Sequence, residues 1–144
     1  MRLWVLGAIV PLACLAPRAA RAQSCKNLSA TAVAFGTYNV FNAADLSAVG
    51  TITYSCPPPL APVVAISASA NGAYRPRQMT SGANTLDYEL YSNAAMTTVW
   101  GTGADQLAVP SGNAKTVSVY AKLFQQQDAA VGAYSDTITV TFNF

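Results

Sequence analysis

The sequence predicts an all-β fold, an immunoglobulin-like sandwich of two antiparallel sheets, and three observations carry that prediction. Several short segments alternate apolar and polar residues with period two, the spacing that turns one face of a strand to a core and the other to water. No window of comparable length sustains the 3.6-residue repeat of an amphipathic helix. Clusters of Gly, Pro, Asn, Asp and Ser separate the segments at intervals suited to about seven strands.

In chain order, strands are predicted over residues 29–35, 50–56, 63–69, 86–91 and 115–123, with a weaker one over 96–100 and a last one over 136–144. The last is the clearest: Ile138, Val140, Phe142 and Phe144 share one face, and Thr137, Thr139, Thr141 and Asn143 the other. In 115–123, Val117, Val119, Ala121 and Leu123 point inward; in 86–91, Leu86, Tyr88 and Leu90 alternate with Asp87, Glu89 and Tyr91. Turn signals lie between them, including the proline run at 57–62, Asn71-Gly72, Ser81-Gly82-Ala83-Asn84, Ser111-Gly112-Asn113 and the stretch 125–132.

The first 22 residues read as a secretory signal, with a charge at Arg2, an apolar run from Leu3 to Ala16 and a small-x-small site at Ala20-Arg21-Ala22. Cleavage after Ala22 leaves 23–144 as one domain, with no later stretch apolar enough for a membrane helix. A competing reading takes Leu12-Ala13-Cys14 as a lipoprotein site, although Pro11 sits badly in such a motif. Removing Arg2, Arg18 and Arg21 leaves five cations against six carboxylates, so the net charge changes from +2 to −1. Charges this sparse form no stripe for phosphates, which argues against nucleic acid as a partner. Two cysteines remain, Cys25 and Cys56, and in an oxidising compartment they are expected to form one disulfide.

The chain has no histidine, which removes the usual serine and cysteine triads and histidine metal sites; no catalytic residue, metal or cofactor is predicted. Asp87 and Glu89, on one strand face, could imitate a glycosidase pair, but such residues more often simply face solvent, and that is the expectation here. Arg75 and Arg77, beside Tyr74, could form an anion- or sugar-binding edge, the blander alternative being arginines paired with carboxylates. Trp100, Tyr91 and Tyr88 could stack on a carbohydrate, the alternative being core or sheet packing. Together Trp100, Tyr91, Arg75 and Arg77 are the candidate surface of an adhesin-like carbohydrate-binding module, the second functional reading of the chain.

The leading reading comes from ordered segments: Phe35-Gly36-Thr37-Tyr38, Gly50-Thr51-Ile52-Thr53-Tyr54-Ser55-Cys56, Arg77-Gln78-Met79, Leu86-Asp87-Tyr88-Glu89-Leu90-Tyr91, Val99-Trp100-Gly101 and Gly132-Ala133-Tyr134-Ser135-Asp136-Thr137. With the cysteine pair, this set resembles the spore coat protein U domain family, which includes the subunits of archaic chaperone-usher pili in bacteria. The resemblance implies an exported, non-enzymatic surface subunit whose sandwich lacks its final strand. It would expose an apolar groove, filled first by a periplasmic chaperone and later, at an outer-membrane usher, by the donor strand of another pilus or coat subunit.

On that reading Ile138, Val140, Phe142 and Phe144 are expected to border the groove. A shaft subunit of the family carries an apolar donor segment before its first cysteine. Here only Gln23 and Ser24 separate the expected cleavage point from Cys25, so a terminal or accessory place in a fibre is the expectation.

Overall fold

The computed structural model describes residues 23–144; the expected signal segment and Cys14 lie outside them. The described residues form eight strands: β1 (Lys26–Ala30), β2 (Leu46–Cys56), β3 (Val63–Ile66), β4 (Arg77–Ser81), β5 (Asn84–Tyr91), β6 (Leu107–Ala108), β7 (Gly112–Leu123) and β8 (Val140–Asn143). A 3₁₀ turn at Gly103–Asp105 precedes β6. One antiparallel sheet runs in the order β1-β2-β7-β5-β4 and the other in the order β6-β3-β8. The predicted two-sheet, all-β architecture is the one observed.

The core lies between the sheets because the period-two pattern delivers one apolar face from each. Ile52 and Tyr54 of β2, Val119 and Leu123 of β7, and Leu86 and Leu90 of β5 meet Val64 and Ile66 of β3, all of them buried. Trp100 is fully buried among them, and its indole N–H donates to the Val64 carbonyl at 2.9 Å. An indole can sit in a core only when its one donor finds an acceptor. Cys25 and Cys56 are bonded as expected, tying the chain before β1 to the end of β2. Closing a loop of this length stabilises by about 3 to 4 kcal/mol on the chain-entropy account.

Several predicted strands are shorter than their hydrophobic alternation, and the cause is the supply of partners. The first, expected over 29–35, pairs only as Lys26–Ala30. Beyond it, Thr31 makes one more bond, N–H to the Thr51 carbonyl at 2.9 Å, and then the chain leaves β2. The last, expected over 136–144, is a ladder only at Val140–Asn143, because β3 offers four residues to pair with. The segment near 96–100 reaches the sheet through a single bridge, Tyr91 to Val99. Before it, the Asn93 side chain accepts from the N–H groups of Thr97 and Thr98 and closes a turn. β4 was not predicted: Met79 and a buried arginine are all that its five residues turn to the core, so no alternation is visible.

The sheet edges are guarded in different ways. β1 carries Lys26, a register shift between Lys26 and Ser29, and Asn27 at a φ of 53°. β4 is capped by Ser135, which exchanges both main-chain bonds with Thr80 at 2.9 and 3.1 Å. β6 is only two residues long. Charge, bulges, covering segments and brevity are the usual means of keeping an edge from recruiting another chain.

Candidate functional site

The sandwich is open along one side, and the opening begins where β1 ends. Gly50 of β2 permits this: a Cβ there would meet Val33 Cγ2 at 2.8 Å and the Thr31 carbonyl at 3.3 Å, so only glycine lets the chain cross so closely. Past the crossing, none of the main-chain N–H and C=O groups of residues 32–38 bonds to another main chain among the described residues. On the far side, residues 129–134 likewise make no main-chain bond, and β8 pairs with β3 along one edge while no described strand lies on its other edge. These two stretches form the lips of a groove.

Two connected cavities fill the space between the lips. The larger, about 820 Å³, lies between 33–40 and 129–134 over Met79, Leu86 and Leu123. The smaller, about 470 Å³, lies between 30–35 and the Ser135 to Val140 stretch, over Ile52, Ile66, Leu90 and Val119. Val33, Phe35, Met79 and Tyr134 line both. An apolar floor with unpaired main-chain groups on each side suits a β-strand, whose alternate side chains fill pockets while its backbone bonds to the lips.

Of the four expected groove-edge residues, Ile138 and Val140 line the smaller cavity. Phe142 turns to the core, its ring 5.2 Å from that of Tyr54, and Phe144 is 57% exposed. Period two put all four on one face, but the lip passes from the cavity to the closed end of the sandwich along its length. Phe35, Met79 and Tyr134 belong to the groove without having been singled out for it. The signal was their presence in the family segments, which marks a position without giving its use.

Asp136 fixes the start of the second lip. Its carboxylate accepts from the Tyr88 hydroxyl at 2.6 Å and from the N–H groups of Ala70 and Thr137, each at 2.8 Å, so it joins β5 and the turn after β3 to the lip. Burial and then this bond push the Tyr88 phenol far above its ordinary range. Asp136→Ala strands the hydroxyl of the buried Tyr88, while the exposed N–H groups of Ala70 and Thr137 turn to water. We expect a loss of about 2 to 3 kcal/mol in urea unfolding, while Asp136→Asn keeps part of it.

The candidate ligand surface is not assembled. Trp100 and Arg77 are fully buried and Tyr91 is 8% exposed, with Lys122 Nζ 5.7 Å from its ring centre. Only Arg75 faces water, where it pairs with Asp105. The Tyr74 hydroxyl, donating at 2.7 Å, and then the Arg75 charge hold the Asp105 carboxyl below the ordinary carboxylate range.

The carboxylates expected on a solvated face also need correcting. Glu89 is 3% exposed and paired with Arg77, while Asp87 accepts from Gln78 Nε2 at 2.9 Å. Strand parity placed Glu89 outward, but its side chain takes the buried guanidinium and the N–H of Leu90, the latter at 2.9 Å. Arg77 in turn donates to the carbonyls of Ser67, Trp100 and Ile66 at 2.9, 2.9 and 3.3 Å, so one side chain bridges the two sheets. Its partners are all structural. Among the described residues no group of His, Cys, Asp and Glu is placed to hold a metal ion, and no helix is long and apolar enough to cross a membrane.

The comparisons agree with this architecture. Residues 12–141 match the model of the Spore Coat Protein U domain. The fold is similar to a chain in the crystal structure of the CsuC–CsuE chaperone–tip adhesion subunit pre-assembly complex, from archaic chaperone-usher Csu pili of Acinetobacter baumannii. The TM-score is 0.58 at 22% identity, over 84% of this chain and 39% of that one. This chain thus spans well under half the length of the one it matches. No curated protein is significantly similar to it. With nearly the whole sequence covered by one family model, and the two-sheet fold and disulfide in place, the chain belongs to the Spore Coat Protein U domain family.

Proposed function

We propose that the protein is an exported, non-enzymatic subunit of a pilus-type surface fibre or coat, and that its groove accepts a β-strand donated by another chain. The observation that carries the proposal is the groove itself: a floor of Ile52, Ile66, Leu90 and Val119 between two lips whose main-chain groups lack strand partners among the described residues. A donated strand satisfies both needs at once, covering apolar surface and pairing the lips. Small-molecule binding needs only the floor and leaves the free main-chain groups of 32–38 without a use.

Family membership supplies the setting. Export by the segment 1–22 delivers the chain to the periplasm, where a chaperone occupies the groove. An outer-membrane usher then exchanges the chaperone strand for that of a neighbouring subunit, and the product lies at the cell surface. The solved chaperone–subunit complex from Csu pili is a precedent in fold for such a pairing. A carbohydrate-binding role through Trp100 and Tyr91 has no comparable support, since both rings are buried.

Co-expression with a periplasmic chaperone of an archaic chaperone-usher system tests the proposal. The expected result is a stable one-to-one complex that contains the groove lips and protects them from proteolysis. A folded monomer that remains soluble at high concentration and ignores the chaperone would sink it.

A further inference from the structure

We infer that Tyr38 is a positioning residue for strand acceptance, a clasp that holds the first lip at the place where an incoming strand can pair with it. The inference rests on the strand-accepting reading and adds to it a residue and a kinetic role.

Residues 32–42 are almost detached from the rest of the molecule. Phe41 and Asn42 bond only to Asn39, within their own turn. Two aromatic side chains make the attachments that matter. Phe35 reaches inward, its ring edge-on to Tyr88 at 6.0 Å. Tyr38 reaches across the opening to Gln127, 89 residues away in sequence. Its hydroxyl accepts from the Gln127 N–H at 2.8 Å and donates to the Gln127 carbonyl at 3.4 Å. These are the hydrogen bonds that join 32–42 to the body of the protein among the described residues.

Gln127 is built to receive that hydroxyl. Its side-chain amide copies a strand neighbour of β5, accepting from the Asp87 N–H at 2.6 Å and donating to the Asp87 carbonyl at 2.9 Å. The same nitrogen donates to the Phe124 carbonyl at 2.7 Å. Gln127 is therefore a rigid post, while the lip it holds has no sheet partner among the described residues. Gly36, at a φ of +76°, makes the bend between the two aromatic anchors, a conformation that side chains with a Cβ rarely adopt. The Phe35-Gly36-Thr37-Tyr38 segment is thus an inward anchor, a bend and an outer tether, and the main chain between the anchors is left free to pair.

A tether of this kind acts before the strand arrives. Without it the lip samples positions unsuited to pairing, and the apparent affinity falls by the fraction of time the lip is misplaced. Once a strand is seated, its own main-chain bonds hold the lip and the tether adds little. Tyr38→Phe keeps the ring and removes only the hydroxyl. The expected result is chaperone capture slowed about five- to tenfold, the equivalent of one hydrogen bond, with the release rate of the formed complex unchanged. Gln127→Ala, which removes the post, should slow capture similarly, and the double variant should be no slower than the slower single one. Trp100 fluorescence and the thermal midpoint establish that each variant is folded.

Equal capture rates for wild type and Tyr38→Phe would overturn the clasp while leaving strand acceptance intact. So would a rise in the release rate alongside a lowered midpoint, which marks a merely structural bond. A wild-type chain that the chaperone never captures would overturn strand acceptance itself, and the clasp with it.

Discussion

Arg77→Ala should cost about 3 to 5 kcal/mol of folding stability, the range observed when one partner of a buried ion pair is removed. The loss follows from what is left behind: Glu89, 3% exposed, without its cation, and the carbonyls of Ser67, Ile66 and Trp100 without their shared donor. Denaturant unfolding followed by fluorescence measures it directly, because Trp100 is the one tryptophan in 23–144 and accepts contact from Arg77 through its own carbonyl. Arg77→Lys should recover little, since an ammonium on a flexible stem cannot fork to a carboxylate and three carbonyls together. Pairing Arg77→Met with Glu89→Leu should recover part, because no charge then remains buried; the orphaned carbonyls keep it below wild type. An Arg77→Ala protein that unfolds at the wild-type midpoint would show that the bridge between the sheets carries no stability.

The second large effect is on assembly. Val140→Asp sets a carboxylate in the wall of the smaller cavity, opposite Val33 and Phe35. A seated strand would bury that charge away from water, and the nearby Arg77 is already committed to Glu89, a cost that should weaken chaperone capture about a hundredfold or more. Unfolding of the free chain should change far less, because Val140 is only half-buried there. Phe142→Asp separates the two roles. It is half-buried like Val140 but lines neither cavity, and its ring rests on the buried Tyr54, so the charged variant should lose about 2 to 3 kcal/mol of intrinsic stability whether or not a partner is present. Equal behaviour of the two variants, in unfolding and in capture, would show that the end of the chain does not divide between groove and core.

The contrast also shows what was legible in the sequence. Alternation identified the faces of β7 and β8 and the inward side of β5, because a buried strand face needs an apolar side chain at every second position. It could not identify where ladders stop, since pairing depends on a partner elsewhere in the chain. The over-long expectations at 29–35 and 136–144 mark the two lips, so the groove was present in the sequence as strands whose hydrophobic pattern outran their partners. Glu89, Arg77 and Trp100 were misread or left open for a different reason. Polar and aromatic residues at strand positions carry no sign of whether the opposite sheet supplies acceptors, and here β3 and its flanks supply several. The family segments located Tyr38 and Asp136, but only the fold gave each a partner.

The uneven guarding of the sheet edges decides the geometry of any assembly. With β1 bulged and charged, β4 capped by Ser135 and β6 cut to two residues, lateral growth by sheet extension is discouraged on three sides. The open edge that remains, that of β8, adjoins the groove. On the strand-accepting proposal, a molecule arranged this way has polarity: it would hold one neighbour at one place and in one direction, with fewer bare edges open to disorderly pairing.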